Sequence, residues 1–446
     1  MAKNIPFPIE TKTACLLKWN FSTITLENGT TQSCHRNQPI PFSADNFNNF
    51  HNLPEKITQR ETMLRGEWPT PPFELYDSHQ NCTYCKKIEQ RGGRSDRQYM
   101  NQTMQDQTPD ELEHDPTATH VTPAVLELYI DNRCNLACNY CSSNYSSRIE
   151  SELKKHHNRP VNLEPYLSPS LSMNNGFYQQ KSTEEKQKYF DAFLNYMTEH
   201  GKGLRRLNLA GGEPFYQPEF TTILEHLRKD RYPNLVLAVI TNAMVAPRVF
   251  NRQVDALSTL IDEKRIDRVD LTASVDCWGT AQEYIRWGFK CETFEQNVLY
   301  AAKQKNINMQ LNGVHSILSL HDYLPLVYKK REWENAVGKK IQMFANLVGG
   351  SPHMESEMLG GEYWQDTFED IRKNWPVRHS GDVAALENIK GLLNFVEKQY
   401  PPNRKSMEHF LTYFNEIDQR RNTDWKLTFP RIRDEIQNHF PNLTCD

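Results

Sequence analysis

Six apolar, strand-like runs alternating with helix-like stretches constrain this chain more than any other feature. The runs cover residues 126–131, 206–210, 235–241, 268–275, 309–315 and 341–347. Between them lie amphipathic segments. One opens at Ser182 with Glu185 three residues on, a capping-box pattern, and then sets Tyr189, Phe190, Phe193, Leu194 and Met197 on one face. Others fall at 220–227, 249–261, 293–303 and 322–330. Six strands interleaved with helices predict an α/β fold: a parallel sheet with right-handed crossovers. Ligands of such folds bind at the carboxyl ends of the strands. Polar residues there are therefore the first candidates: Gly211, Gly212, Glu213 and Pro214 after the second strand, Thr241 and Asn242 at the end of the third, Ser274 and Asp276 at the end of the fourth, and Asn312 in the fifth. A Gly-Gly pair lets backbone approach a ligand closely, and a carboxylate beside it can pair with an ammonium group. The competing expectations are a plain turn for Gly-Gly-Glu-Pro and local backbone satisfaction for each strand-end polar group.

Two cysteine sets stand out. Cys134, Cys138 and Cys141 follow the first strand. Three thiolates this close can converge on one metal centre, and three are one short of a closed site, so an iron–sulfur cluster held this way keeps one iron open. Zinc sites usually pair two Cys-x2-Cys elements, and no fourth ligand lies nearby. The second set is in the N-terminal region. Cys15 and Cys34 flank a predicted hairpin, strands 21–26 and 30–33 joined by Glu27-Asn28-Gly29, and Cys82 and Cys85 form a Cys-x2-Cys. Together they make a four-thiolate site in a region with little apolar material, which a metal would staple. Zinc and a fully ligated 4Fe–4S cluster both satisfy four thiolates, with zinc slightly favoured by spacing alone. His35 or His79 can also replace one thiolate.

Cys-x3-Cys-x-aromatic-Cys after a strand resembles the signature of the radical S-adenosylmethionine (SAM) enzymes. The resemblance implies a partial βα, TIM-like barrel of about six parallel strands. It also implies a 4Fe–4S cluster whose fourth iron binds the amino and carboxylate groups of SAM, and reductive cleavage of SAM to a 5′-deoxyadenosyl radical. Gly211-Gly212-Glu213-Pro214 resembles the family's GGE motif, which holds the SAM amino group. By position, Thr241, Asn242, Ser274, Asp276 and Asn312 are implied for the ribose, the carboxylate or the substrate. Tyr140 matches the aromatic residue that lies near adenine. Arg286, near the barrel mouth, would pair with a carboxylate of SAM or substrate, or else form a surface salt bridge. Cys277, directly after the fourth strand end, is a candidate hydrogen-atom donor to a substrate radical, against the commoner alternative of an inert buried thiol.

A second resemblance covers the ends of the chain. Cys15-Leu16-Leu17-Lys18-Trp19, the Glu-Asn-Gly turn, Cys34, Gly66-Glu67-Trp68-Pro69 and Cys82-x2-Cys85-x3-Glu89-x2-Gly92-x2-Ser95-x-Arg97 look like the twitch-type auxiliary-cluster module. That module is related to the SPASM domains of peptide-modifying radical SAM enzymes. Phe414-Asn415-Glu416-Ile417-Asp418-x2-Arg421, Asp424 and Phe429-Pro430 are similar to the end of twitch-domain radical SAM proteins. Such modules more commonly follow the barrel, whereas this one precedes it. The resemblance implies a second 4Fe–4S cluster and a flavodoxin- or ferredoxin-like electron donor. The implied reaction is an oxidative modification or cross-link of a peptide or protein. The alternatives are a dehydrogenase or mutase acting on a sugar, amino acid or nucleoside, and a non-catalytic iron–sulfur or zinc scaffold.

The expected organisation is a cysteine-rich module over 1–110, a linker over 111–121, a barrel over 122–350 with an insertion or lid at 142–183, and a helical region over 351–446. In the last, Leu386, Ile389, Leu393 and Val396 form one apolar stripe and Phe410, Tyr413, Phe414 and Ile417 another, both read as core. A net charge of −4 gives no nucleic-acid footprint. No apolar run reaches the length of about 18 residues needed to span a membrane. Ten cysteines without a signal-peptide pattern predict a cytoplasmic protein whose thiols serve metal rather than disulfides. Cys291 and Cys445 have no evident partners.

Overall fold

Among the described residues of the computed structural model, eleven strands form one nine-stranded sheet and a short two-stranded pair. The structure describes residues 11–69, 82–90, 92, 94–104, 110–163, 166, 181–348, 351, 353–397 and 402–443. The strands are β1 (Phe21–Thr25), β2 (Thr30–Gln32), β3 (Ile40–Pro41), β4 (Val125–Tyr129), β5 (Ala137–Cys138), β6 (Arg206–Ala210), β7 (Tyr232–Thr241), β8 (Ile266–Ser274), β9 (Arg286–Trp287), β10 (Ile307–His315) and β11 (Gln342–Leu347). The large sheet runs β11-β10-β8-β7-β6-β4-β1-β2-β3. Within this large sheet every pairing from β4 across to β11 is parallel, as the alternating pattern predicts. This is the partial, TIM-like barrel architecture.

Side-chain alternation sets the two faces. Leu207, Leu209, Leu237, Val239, Val269, Leu271 and Leu311 are fully buried. They join one core with the helices Thr183–His200, Pro218–Lys229, Pro247–Asp262 and Cys291–Lys303. The first of these helices carries the predicted capping box, Ser182 with Glu185. The other face of the sheet is polar. Cross-strand register puts Thr23, Glu127, Asn208, Ala238, Asp270 and Asn308 in one row across six strands. Arg206 and Arg268 both pair with Asp270, at 2.7 and 2.9 Å. Closed barrels normally fill this interior with branched apolar side chains. Here it is a hydrogen-bonded floor of ions and amides.

The N-terminal hairpin belongs to the same sheet. β1 pairs in parallel with β4, Phe21 opposite Val125 through Thr25 opposite Tyr129, and β2 returns antiparallel. Four of the five β1 residues are buried, as in a central strand rather than an edge. Gly29, at φ +65°, makes the turn. The expected solvated linker is packed instead. Asp110–His114 is helical and Leu112 is fully buried. The Ala118 carbonyl accepts from Trp19 Nε1 at 2.8 Å, and the Thr119 carbonyl accepts from Arg60. Polar residues hid this in the sequence because their backbone, not their side chains, makes the contacts.

The expected insertion at 142–183 is partly scaffold. Ser147–Lys155 is a helix capped by Ser146, whose Oγ accepts from the Ile149 amide. Residues 164–165 and 167–180 of the insertion lie outside the described residues. The C-terminal region is helical, as predicted, with Ile389, Leu393, Val396, Phe410, Tyr413, Phe414 and Ile417 all buried. Among the described residues, no helix is long and apolar enough to cross a membrane.

Candidate active site

The loop after β4 is held from three sides. β5 within it pairs antiparallel with β9, Cys138 opposite Arg286, and the Asn139 amide donates to the Ile285 carbonyl at 2.9 Å. The chain after Cys141 folds back beneath it. Ser146 Oγ donates to the Leu136 carbonyl at 2.7 Å, and Ser147 Oγ accepts from the Cys134 amide at 3.2 Å. From the C-terminal region, Arg421 donates to Asn139 Oδ1 at 2.6 Å while pairing with Glu152 at 2.7 Å. His353 Nε2 donates to the Asn139 carbonyl at 3.2 Å. The sequence marked Arg421 only through the C-terminal resemblance, and it marked His353 not at all.

Opposite this loop is the Gly-Gly turn. Gly211 and Gly212 have φ of +85° and +50°. The Glu213 amide donates to the Arg133 carbonyl at 2.8 Å, immediately before Cys134. Gln217 Nε2 bridges the two segments, donating to the carbonyls of Asp131 and Gly211 at 3.0 and 3.1 Å. A cavity of about 500 Å³ opens between them. Its wall includes Cys134, Cys138, Cys141, Tyr140, Gly211 and Gly212. Thr241, Asn242, Ser274 and Arg286 complete the same wall.

Several predicted ligand residues serve the scaffold instead. Glu213 is fully buried and is not among the residues of the cavity wall. Oε1 accepts from Thr241 Oγ1 at 2.7 Å and the Phe215 amide at 3.1 Å, and Oε2 accepts from the Asn242 amide at 2.5 Å. Pro214 starts the buried turn that Glu213 caps. Asp276 is also fully buried. It accepts from Arg286 Nε and Nη2 at 2.9 and 3.0 Å, from Tyr140 Oη at 2.7 Å and from the Val314 amide at 2.9 Å. These contacts fill its acceptor capacity, so it positions Arg286 and Tyr140 rather than facing a ribose. Arg286 is not a surface salt bridge, because its Nε and Nη2 pair with buried Asp276, and the residue lines the cavity. Its charge lies 5.4 Å from the Tyr140 ring centroid. Asn312 accepts from Asn346 Nδ2 at 2.9 Å and is not part of the cavity wall. Cys277 is fully buried in the core with Gln282 Oε1 3.7 Å from its sulfur, which is the inert position rather than the hydrogen donor's. Asn242 stays close to the metal-loop thiols, its Nδ2 3.6 Å from Cys134 Sγ.

Burial raises all three loop thiols, and Cys141 is pushed up to about 12. Arg286 pulls Cys138 the other way. Metal binding at such thiols releases protons. Burial also pushes the Glu213 carboxyl up to about 7, against three hydrogen bonds that lower it. Between its ordinary 4.5 and 7 the folded protein holds a proton that the unfolded chain lacks. Stability from this group is therefore complete below 4.5, falls as pH rises towards 7, and is flat above. The expected loss over that window is about 3 kcal/mol. Urea unfolding of the wild type and Glu213→Gln across the window reads it. The wild type should lose stability relative to the variant up to pH 7 and then run parallel; parallel profiles throughout would rule it out.

The second cysteine set is gathered from three segments. Cys15 precedes the short helix Leu17–Asn20, Cys34 follows β2, and Cys82 and Cys85 open the helix Cys82–Gln90. All four are free thiols. Burial is the main reason the Cys15 thiol is raised, and the charges of Cys34, Cys82 and Cys85 add to it. The rest of the motif forms a network. Arg97 pairs with both oxygens of Glu89 at 2.9 and 2.7 Å and donates to the Ala14 carbonyl at 2.6 Å, while Ser95 Oγ donates to Glu89 at 2.6 Å. His35 stands beside Glu127. Its Nε2 lies 2.9 Å from Glu127 Oε1, and it lines the active cavity with Thr23 and Gln32. The hairpin thus contributes to both places, a link invisible before the β1–β4 pairing was known. His79 and Cys445 lie outside the described residues. Among the described residues, Glu334, His379 and Asp382 are the one group of three ligand atoms within 4.8 Å of one another, neither cysteine set being drawn together that closely, and Lys330 and Arg331 already pair with it.

Residues 128–273 match the family model described as Radical SAM superfamily. That stretch is a radical SAM domain. Among solved structures, the chain is similar to Streptococcus suis SuiB bound to precursor peptide SuiA. The identity is 11%, the TM-score 0.35, and the match covers 60% of this chain and 52% of that one. It is similar also to SuiB bound to S-adenosylmethionine, at 12% identity and TM-score 0.34, covering 73% of this chain and 61% of that one. The match thus spans between half and two thirds of SuiB's length. No curated protein matches the chain.

Proposed function

We propose that the chain is a radical SAM enzyme that oxidatively modifies or cross-links a peptide or protein. The observation carrying this reading is that Cys134, Cys138 and Cys141 share one cavity wall with the Gly211–Gly212 turn and the polar ends of β7 and β8. Three thiols suit a cluster with an open iron, and the glycines leave backbone free to face a ligand there. When bound, a 4Fe–4S cluster with SAM supplies a 5′-deoxyadenosyl radical able to take hydrogen from an unactivated C–H bond.

The residues divide the work. Cys134, Cys138 and Cys141 hold the cluster. Gly211, Gly212, Thr241, Asn242 and Ser274 shape the SAM pocket, with Tyr140 beside it. Glu213, Asp276 and Arg286 fix the loops that carry these groups. The polar floor of the sheet, with His35 and Glu127 at its edge, suits a hydrogen-bonding substrate such as a peptide backbone. A cavity of about 500 Å³ also lies within the size range of small-molecule sites, which favours a sugar, amino acid or nucleoside as the second reading. Cys15, Cys34, Cys82 and Cys85 would hold a second 4Fe–4S cluster, with zinc as the alternative. Cys34 and His35 are adjacent and His35 lines the cavity, which supports the reading that such a cluster would accept an electron from substrate. A flavodoxin- or ferredoxin-like protein would reduce the first cluster, and a reducing, cytoplasmic setting suits the free thiols.

Anaerobic reconstitution, followed by addition of SAM and a one-electron reductant, tests this reading. Expected are about eight irons per chain and release of 5′-deoxyadenosine. About four irons plus one zinc would remove the second cluster and leave the first. Iron without any SAM cleavage would favour a non-catalytic scaffold.

A further inference from the structure

Asn139 and Tyr140 separate two of the loop cysteines, Cys138 and Cys141. Asn139 is fully buried, and each of its four polar atoms has a partner. Its amide donates to the Ile285 carbonyl at 2.9 Å and its Nδ2 to the Tyr284 carbonyl at 3.2 Å. Its carbonyl accepts from His353 Nε2 at 3.2 Å, and its Oδ1 accepts from Arg421 Nη1 at 2.6 Å. Moving such a residue leaves several polar atoms unpaired in the core, each at a cost, so its backbone is tightly fixed. The turn from Cys138 to Cys141 is fixed with it. None of the four partners lies within residues 128–273, the stretch that matches the family. Two of them come from the C-terminal region.

Arg421 reaches Asn139 with one arm and is anchored by the others. Its Nε and Nη2 pair with the two oxygens of Glu152 at 3.0 and 2.7 Å, which leaves Nη1 for Asn139. Glu152 stands on the helix Ser147–Lys155, directly after the loop. A planar guanidinium can grip a carboxylate with one edge and donate from another atom at the same time; a lysine ammonium has no such fork. The Arg421 charge also lies 5.8 Å from the ring centroid of Trp287, whose backbone pairs with Ala137 in the same loop. Arg420, the preceding residue, is the contrast. It is equally buried, pairs with Glu416 at 2.7 Å and donates to the Val161 carbonyl at 3.0 Å. Neither contact reaches the cysteine loop.

We propose that Arg421 is a positioning residue of the first cysteine set. Through Asn139 it holds the turn that carries Cys138 and Cys141, and the C-terminal helix Arg404–Arg421 is thereby part of the cluster site. His353 does the same from the carbonyl side of Asn139. This rests on the reading of Cys134, Cys138 and Cys141 as cluster ligands. It adds that the stretch matching the family does not hold its cysteine loop alone.

Full-length wild type, Arg421→Met, Arg421→Lys and Arg420→Met are compared in two states. In the metal-free protein, amide hydrogen exchange over residues 134–145 reads the order of the loop. After reconstitution with iron and sulfide, iron loss to a chelator and the electron paramagnetic resonance spectrum of the reduced cluster, with and without SAM, read the site. Arg421→Met should exchange the loop and lose iron about tenfold faster, the scale of one hydrogen bond to a charged group. Its reduced cluster should give an altered signal and a weaker response to SAM. Arg421→Lys keeps the buried charge beside Glu152, so it remains informative if Arg421→Met does not fold, and it should show the same defects because it lacks the fork. Arg420→Met should exchange the loop, hold iron and respond to SAM as wild type does, whatever its melting temperature. Normal behaviour of Arg421→Lys would mean that charge alone suffices and would overturn the positioning role. Equal defects in Arg420→Met would mean that the helix acts through overall stability and would overturn it also. A wild type that takes up no iron would remove the cluster reading. Faster exchange in Arg421→Met would then still show the brace on the loop, and unchanged exchange would overturn that as well.

Discussion

Gly212→Ala is expected to destabilise the protein by about 2–4 kcal/mol and to strip iron from the first cysteine set. A Cβ at Gly212 would sit 2.4 Å from the Arg133 carbonyl oxygen, 2.8 Å from Gln217 Nε2 and 2.9 Å from the Arg133 carbonyl carbon. The first and last of these are backbone, and the next residue is Cys134. That backbone cannot simply retreat, because the Arg133 carbonyl accepts from the Glu213 amide at 2.8 Å and from Gln217 at 3.3 Å. The left-handed φ of +50° adds its own penalty for any side chain. Gly338→Ala is the control. It has φ +69° at a helix end, and nothing lies within 4 Å of its would-be Cβ. It should therefore show the conformational penalty alone, about 1 kcal/mol, with normal iron content. Urea unfolding and iron assay of both variants separate the two terms. A Gly212→Ala protein with the stability of Gly338→Ala and full iron would mean the turn is free to move.

The contrast between legible and hidden parts of this site has a physical basis. Strand positions and the capping box followed from local patterns, because burial of one face and capping of one end are written in neighbouring residues. The cysteine loop was legible for the same reason: its chemistry sits within eight residues, Cys134 to Cys141. Orientation was not. Glu213 and Asp276 stand at strand ends where ligand-facing and scaffold-facing carboxylates have the same sequence. Only the amides of Asn242, Phe215 and Val314 and the guanidinium of Arg286 decide between the two. The β1–β4 pairing was hidden because parallel partners about 100 residues apart leave no local signal, and with it went the role of His35 at the cavity. The apolar stripe at Phe410–Ile417 read correctly as core. What it braces, Asn139 between two of the loop cysteines, could be seen only once Arg421 was placed beside it.

Arg286→Met is expected to cost about 3–5 kcal/mol and Asp276→Asn somewhat less, yet the double variant should cost less than the sum. The pair is almost wholly desolvated, with side chains 8% and 0% exposed. Removing the guanidinium leaves the Asp276 carboxyl group in the core without its counter-charge, with Tyr140 Oη and the Val314 amide as its remaining donors. Removing the carboxylate charge leaves Arg286 facing the Tyr140 ring and the thiols of Cys138 and Cys141. When both charges go, no buried ion remains, and the lost desolvation penalty offsets much of the lost attraction. Iron content should follow a different order. Arg286 lowers Cys138 and Cys141, favouring the thiolates that metal requires. Every variant lacking Arg286 should therefore load iron poorly, the double variant included, even though its stability partly recovers. Asp276→Asn keeps that charge and should load nearly normally. Additive stability losses would show that the pair is not electrostatically coupled in the fold. Normal iron in the double variant would show that Arg286 acts on the cysteine loop through stability alone.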